Sequence, residues 1–204
     1  MIKFACISPH PPLLLPDIGS VEDRKKVKKT ILALESLGKI LKKEKPDTIF
    51  ISSPHPDWGF NVPLHFLAKD FKSEIETCLT GLEPPKFYFE EGKKIYKLKI
   101  ENCKLKIALI ASGDLSHCLR TDGPYGFNPQ GPKFDKRLIE ALKNKDIETI
   151  LKLDDLYPEA GECGLRSFAF LLGVLEAAKI NWQPEILSYE SPFGVGYLVA
   201  NFKL

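Results

Sequence analysis

The chain is short of nearly everything that would tie it to a membrane, a secretory route or a nucleic acid. No apolar run approaches the ~20 residues that a helix needs to cross a bilayer. Residues 1–7 are apolar but meet Pro9 and Pro11 too early for the apolar core and cleavage site of a signal peptide. Five cysteines, at 6, 78, 103, 118 and 163, are odd in number and include no C-x-x-C pair, which argues against a disulfide framework and a structural zinc site. Reduced thiols in a cytoplasm are expected. Charge of one sign is scarce as well: 29 Lys and Arg stand against 27 Asp and Glu, leaving no strong field to recruit nucleic acid or acidic lipid. A G-x-S-x-G elbow, a Gly-rich loop followed by Lys-Ser/Thr, and a G-x-G-x-x-G opening a helix are all missing, which removes the usual signatures of serine hydrolases and nucleotide binders.

What is present suffices for a core. With 44% hydrophobic residues in 204, one domain spanning 1–204 is expected. Apolar, β-branched runs at 2–8 and 48–53 read as buried strands. Between them, Ser20 and Asp23 resemble a capping box, and Val27, Ile31, Leu34 and Leu41 recur at helical spacing up to about Glu44. That strand, helix and strand form a crossover long enough for a parallel pair, so the class is α/β. A short helix within 63–71 is expected, as is a hairpin of 94–101 with 104–111 about Asn102-Cys103. Helices are expected next at 133–143, 147–153 and 162–178, the last apolar nearly all round and therefore buried, and strands at 185–189 and 194–202 close the sheet.

The tetrapeptide Ser-Pro-His-Pro occurs twice, at 8–11 and 53–56, each time directly after a predicted strand. A third apolar run, 105–111, ends in Ser112-Gly113-Asp114-Leu115-Ser116-His117. Three of the four histidines thus sit just past strand ends, where open α/β sheets bind ligands. Flanking prolines restrict the backbone around His10 and His55, which suits pre-oriented metal ligands. A carboxylate would complete a two-histidine, one-carboxylate set, and Glu162, an acid opening an apolar helix, is the candidate. The same glutamate also suits the helix dipole, and Cys163 beside it is a rival ligand that would turn preference toward zinc or copper. His117 has the chemistry of a proton carrier, with Asp114 or Ser116 placed to orient it; the competing reading is a buried histidine bonded to Asp114. His65 has no such frame and reads as structural.

Taken in order, these motifs resemble the class III extradiol dioxygenase catalytic-subunit family and its relatives, the Memo-like proteins. The likeness runs through Ile7-Ser8-Pro9-His10-Pro11-Pro12, Ser52-Ser53-Pro54-His55, Ala111 to His117, Gly123-Pro124-Tyr125-Gly126-Phe127, Gly131-Pro132-Lys133-Phe134-Asp135 and Gly161-Glu162-Cys163-Gly164. It implies a three-layer α/β/α fold about a mixed, largely parallel sheet. It also implies iron(II) on His10, His55 and Glu162, with His117 as acid/base, Asp114 beside it, and a catechol-type aromatic substrate opened by O2 beside its two hydroxylated carbons. Memo-like relatives carry cysteine as third ligand. The alternative is therefore a copper- or iron-binding protein without ring cleavage, acting through protein partners, and zinc is a further alternative metal. A second copy or a small partner subunit would not be unusual for the family.

Overall fold

The computed structural model describes residues 1–69 and 71–204. Six strands, β1 (Ile2–Ser8), β2 (Thr48–Ser53), β3 (Glu74–Leu79), β4 (Ile107–Ser112), β5 (Gln183–Glu190) and β6 (Tyr197–Lys203), form one sheet in the order β3-β2-β4-β1-β6-β5. The first four run parallel, and β6 is antiparallel to both its neighbours. The sheet is mixed and largely parallel, as expected.

Helices cover both faces because the central strands are apolar on both. Successive side chains of a strand point to opposite faces. Ala5, Ile7, Leu109 and Ala111 accordingly enter one core, whereas Phe4, Cys6, Ala108 and Ile110 enter the other. The second core is closed by α2 (Lys28–Glu44) and α3 (Trp58–Leu67), with α1 (Val21–Lys26) leading into α2. The first is closed by α4 (Pro85–Ile95), α5 (Gln130–Asn144) and α8 (Leu165–Ala177), with the short α6 (Ile147–Ile150) and α7 (Leu153–Leu156) between the last two. Ser20 caps α1, its hydroxyl accepting the Asp23 N–H at 3.0 Å as the capping pattern requires. The single helix expected up to Glu44 breaks at Val27, whose backbone leaves helical angles.

Two expectations fail for physical reasons. The hairpin about Asn102-Cys103 does not form: its first arm is the end of α4 and a π-helical turn (Tyr96–Ile100), and only the second arm is a strand. Lys97-Leu98-Lys99 mimics a strand's alternation, but Leu98 is 71% exposed, and the helical repeat of the buried Tyr88, Phe89 and Gly92 prevails by packing on α8. The expected 162–178 helix starts only at Leu165, leaving Glu162 and Cys163 ahead of it. The short helix expected within 63–71 is α3, which begins earlier, at Trp58; residue 70 lies outside the described residues. The edge strand β3 was unexpected, because its apolar side chains Ile75 and Leu79 face solvent.

The helix α8 is buried on nearly every side, as its composition demands. Its approach to α4 rests on two glycines: a Cβ on Gly173 would stand 2.0 Å from the Phe89 carbonyl oxygen, and one on Gly92 would stand 2.1 Å from that of Phe170. Gly173→Ala should therefore lower unfolding free energy by about 1–3 kcal/mol through overpacking, read as a lower urea midpoint at unchanged slope.

Candidate metal centre

The parallel register brings the carboxyl ends of three strands to one level. Ser8 of β1 pairs with Ser112 of β4, and Ser52 of β2 pairs with Ala111. Each strand leads at once into a chemically equipped loop, carrying His10, His55 and residues 113–117. The His10 and His55 rings meet edge-on with centroids 5.2 Å apart. Cys163 completes the group: a donor atom of each of the three lies within 4.8 Å of the others, with His10 buried, Cys163 half-buried and His55 exposed. The Cys163 sulfur stands 3.6 Å from His10 Nε2.

A proline on a neighbouring helix helps set the tautomer of His10. Pro63, inside α3, has no N–H to give the Gly59 carbonyl four residues earlier. The Ser112 hydroxyl donates to that oxygen instead. Its one proton being so committed, Ser112 Oγ can only accept from His10 Nδ1, 2.9 Å away. The proton of His10 therefore sits on Nδ1 and the Nε2 lone pair faces Cys163. Burial, reinforced by His55, pushes the His10 pKa down to about 3, so the ring is neutral and its 3.8 Å approach to Asp114 Oδ2 is no ion pair.

Residues 113–117 are held from several sides. Asp114 Oδ1 accepts the His10 N–H at 3.0 Å, Ser116 N–H donates to Asp135 Oδ1 at 2.8 Å, and His117 N–H donates to the Gly161 carbonyl at 3.1 Å. Gly113 and Gly164 touch backbone to backbone, since a Cβ on Gly113 would fall 2.2 Å from Gly164 Cα. That contact delivers Cys163 to the strand ends. Cys163 also joins Asp114 and His117 in a second group with donor atoms within 4.8 Å of one another. Nε2 of His117 is buried with no partner among the described residues, and its ring leans on Tyr125 with centroids 5.0 Å apart.

Glu162, expected as the carboxylate ligand, lies elsewhere. One carboxylate oxygen accepts the Leu165 N–H at 2.6 Å, capping α8, and the other accepts from Arg166 Nη1 at 2.9 Å. Of the two adjacent candidates, the structure brings Cys163 to the histidines, and Glu162 is in neither donor group. His65 lies in α3, with its ring on Phe66.

The electrostatics suit a cation. Burial raises the Cys163 thiol well above its ordinary range and Asp114 adds to this; burial likewise raises Asp114 to about 6. Burial lowers His117, against the pull of Asp114. Negative charge is thus unfavourable here until a positive ion compensates it, at which point a thiolate becomes the preferred form. Two imidazoles and a sulfur make a donor set that fits one metal ion, and the unpartnered buried ring nitrogen of His117 stands beside the same sulfur. A cavity of about 460 Å³ opens beside it, lined in part by His55, Cys163, Leu82, Tyr157 and Arg166.

Comparison with known proteins bears on this arrangement. Residues 53–200 match the family described as the catalytic LigB subunit of aromatic ring-opening dioxygenase. The chain belongs to that family. The match begins at the end of β2, so His10 comes from outside the matched segment and joins the site only through the β1–β4 register. Protein CA_C1420 of Clostridium acetobutylicum is 32% identical over an alignment covering 93% of this chain and 55% of that protein, so the chain spans about half the length of this curated relative. The crystal structure of the uncharacterized protein JW3007 from Escherichia coli K12 superposes with a TM-score of 0.62 at 18% identity, covering 97% of this chain and 98% of that one, which shows a shared LigB-type fold. Among the described residues no helix is long and apolar enough to cross a membrane.

Asp135 and Ser112 support the site without having been assigned a role from the sequence. Asp135 had a signal: it lies on the apolar stripe of α5 with Phe134 and Leu138, an odd place for an acid. It holds the Ser116 N–H and accepts from Tyr189 at 2.5 Å. Burial raises its pKa to about 7, so it favours folding most when protonated. The unfolded value is near ~4, so its contribution is full below that pH and declines as pH rises toward 7. Asp135→Asn should remove that decline: the stability gap to wild type should widen in the mutant's favour from pH 4 to 7.5 in parallel urea titrations. Ser112→Ala, which frees the His10 ring, should weaken metal binding about 10–100-fold in competition with a chromophoric chelator.

Proposed function

We propose that this chain is a metal-dependent oxidoreductase that opens a catechol-type ring with O2. The observation that carries this reading is the convergence of His10, His55 and Cys163, with His117 alongside, in a chain of the ring-opening dioxygenase family. Iron(II) bound there would supply a redox-active Lewis acid with positions left open for both reactants. His10 and His55 would hold it, the former aimed by Ser112 and already uncharged; Cys163 would release a proton. His117, held uncharged near neutrality by burial, would accept a hydroxyl proton from the diol at Nε2 and return it to the opened product. Asp114 would orient His10 through its backbone and raise the basicity of His117. Pro54, Leu82 and Tyr157 would shield one side of the ring from water.

One observation favours a second reading. Sulfur replaces the carboxylate of the usual two-histidine iron site, and thiolate prefers copper or zinc. A Memo-like, copper-binding protein that works through protein partners has the same three ligands. The two part on activity. After anaerobic loading with iron(II), a catechol followed by air should yield a yellow ring-opened product, and a colourless panel of catechols, with copper retained more tightly than iron, would leave the second reading standing. Under either, Cys163→Ala should lose at least nine-tenths of its bound metal by elemental analysis, whereas Glu162→Ala should keep it. His117→Ala should keep the metal and lose about 10²–10⁴-fold in turnover.

A further inference from the structure

The cavity beside the metal centre has charged side chains in its lining, Asp154, Glu162 and Arg166. Arg166 is the only Lys or Arg among the described residues that line it. Such an arginine invites reading as the anchor of a carboxylated substrate, because a guanidinium fork matches a carboxylate. Three of its five N–H donors are already engaged. Nη1 donates to Glu162 at 2.9 Å, Nη2 faces Asp154 at 3.4 Å, and Nε donates to the Glu83 carbonyl at 2.9 Å. Two carboxylates therefore surround one guanidinium, and all three side chains are partly or largely withdrawn from water. Thr80, 3% exposed and lining the same cavity, has a hydroxyl without a protein partner among the described residues.

We propose that this wall makes the site selective for neutral or cationic diols, such as catechols bearing an aminoalkyl chain, and that Asp154 and Glu162 are its specificity-determining residues. The inference rests on the diol-binding reading of the metal centre. A divalent ion held with the Cys163 thiolate would keep a single positive charge, and a diol that had lost one proton would neutralise it, so the charge of the ring substituent would decide. There an ammonium group meets the surplus carboxylate. A carboxylate substituent meets a guanidinium whose charge is already matched by two carboxylates, and it must approach those acids, a juxtaposition that low-dielectric surroundings penalise. Pro54, Leu82 and Tyr157 line the same cavity and would supply apolar surface for the ring.

The full chain loaded with zinc, which binds diols but has no oxygen chemistry, provides the test. Dopamine, 4-ethylcatechol and 3,4-dihydroxyphenylacetate are titrated anaerobically and followed by calorimetry. Dopamine should bind at least tenfold more tightly than the phenylacetate, with ethylcatechol between them. Asp154→Asn should cut that ratio at least threefold, and Glu162→Gln, whose amide oxygen keeps one of the two accepted hydrogen bonds while the charge is removed, should act in the same direction should the first variant not fold. Equal or reversed preference in wild type, or a ratio unmoved by a folded variant, overturns the selectivity while leaving diol binding intact. Failure of all three ligands to bind overturns the diol reading, and this inference with it.

Discussion

Three parallel strands that end at one level determine where the reactive side chains of this protein can meet. Hydrogen bonding between β1, β4 and β2 leaves Ser8, Ser112 and Ser52 within a residue of alignment, so the loops leaving all three strands emerge over the same crevice. A one-residue slip would turn the apolar side chains of both cores to the wrong faces, so the burial that stabilises the sheet also fixes the relative height of the histidines. Fold stability and site geometry rest on the same register.

Around that register, the pairing of backbone groups does the finer aiming. Pro63 leaves a helix carbonyl without a donor, Ser112 satisfies it, and His10 must then give its Nδ1 proton to Ser112. The unpaired lone pair is thereby turned to Cys163. On the other side of the crevice the Gly113–Gly164 contact and the Asp135–Ser116 bond hold residues 113–117 against the start of α8. Both devices use groups that would otherwise be buried without partners, and such groups are costly to leave alone.

Glu162 is a further buried acid on which the site turns. A buried carboxylate is tolerated when paired, and here the pairing is with Arg166 and with the first turn of α8. That arrangement removes it from the donor group and builds the charged wall of the adjoining cavity. One residue thus shapes which ligands suit the cavity, while its neighbour Cys163 faces the imidazoles.

The local pattern of the chain carried the α/β class, most of the strands, the buried α8 and the strand-end histidines, because each arises from periodicity or from a motif a few residues long. It misread residues 94–101, where lysines alternating with apolar side chains imitate a strand and only packing of Tyr88, Phe89 and Gly92 on α8 selects the helix. The support given by Ser112 and Asp135 was out of reach too, since their partners lie 19 to 102 residues away. By itself, then, the sequence determined that two imidazoles framed by prolines would stand at the carboxyl edge of a sheet. Which donor joins them was decided only by tertiary structure: Glu162 and Cys163 are adjacent, and their directions depend on Arg166, on the Gly113–Gly164 contact and on where α8 begins, none of which a short stretch of chain encodes.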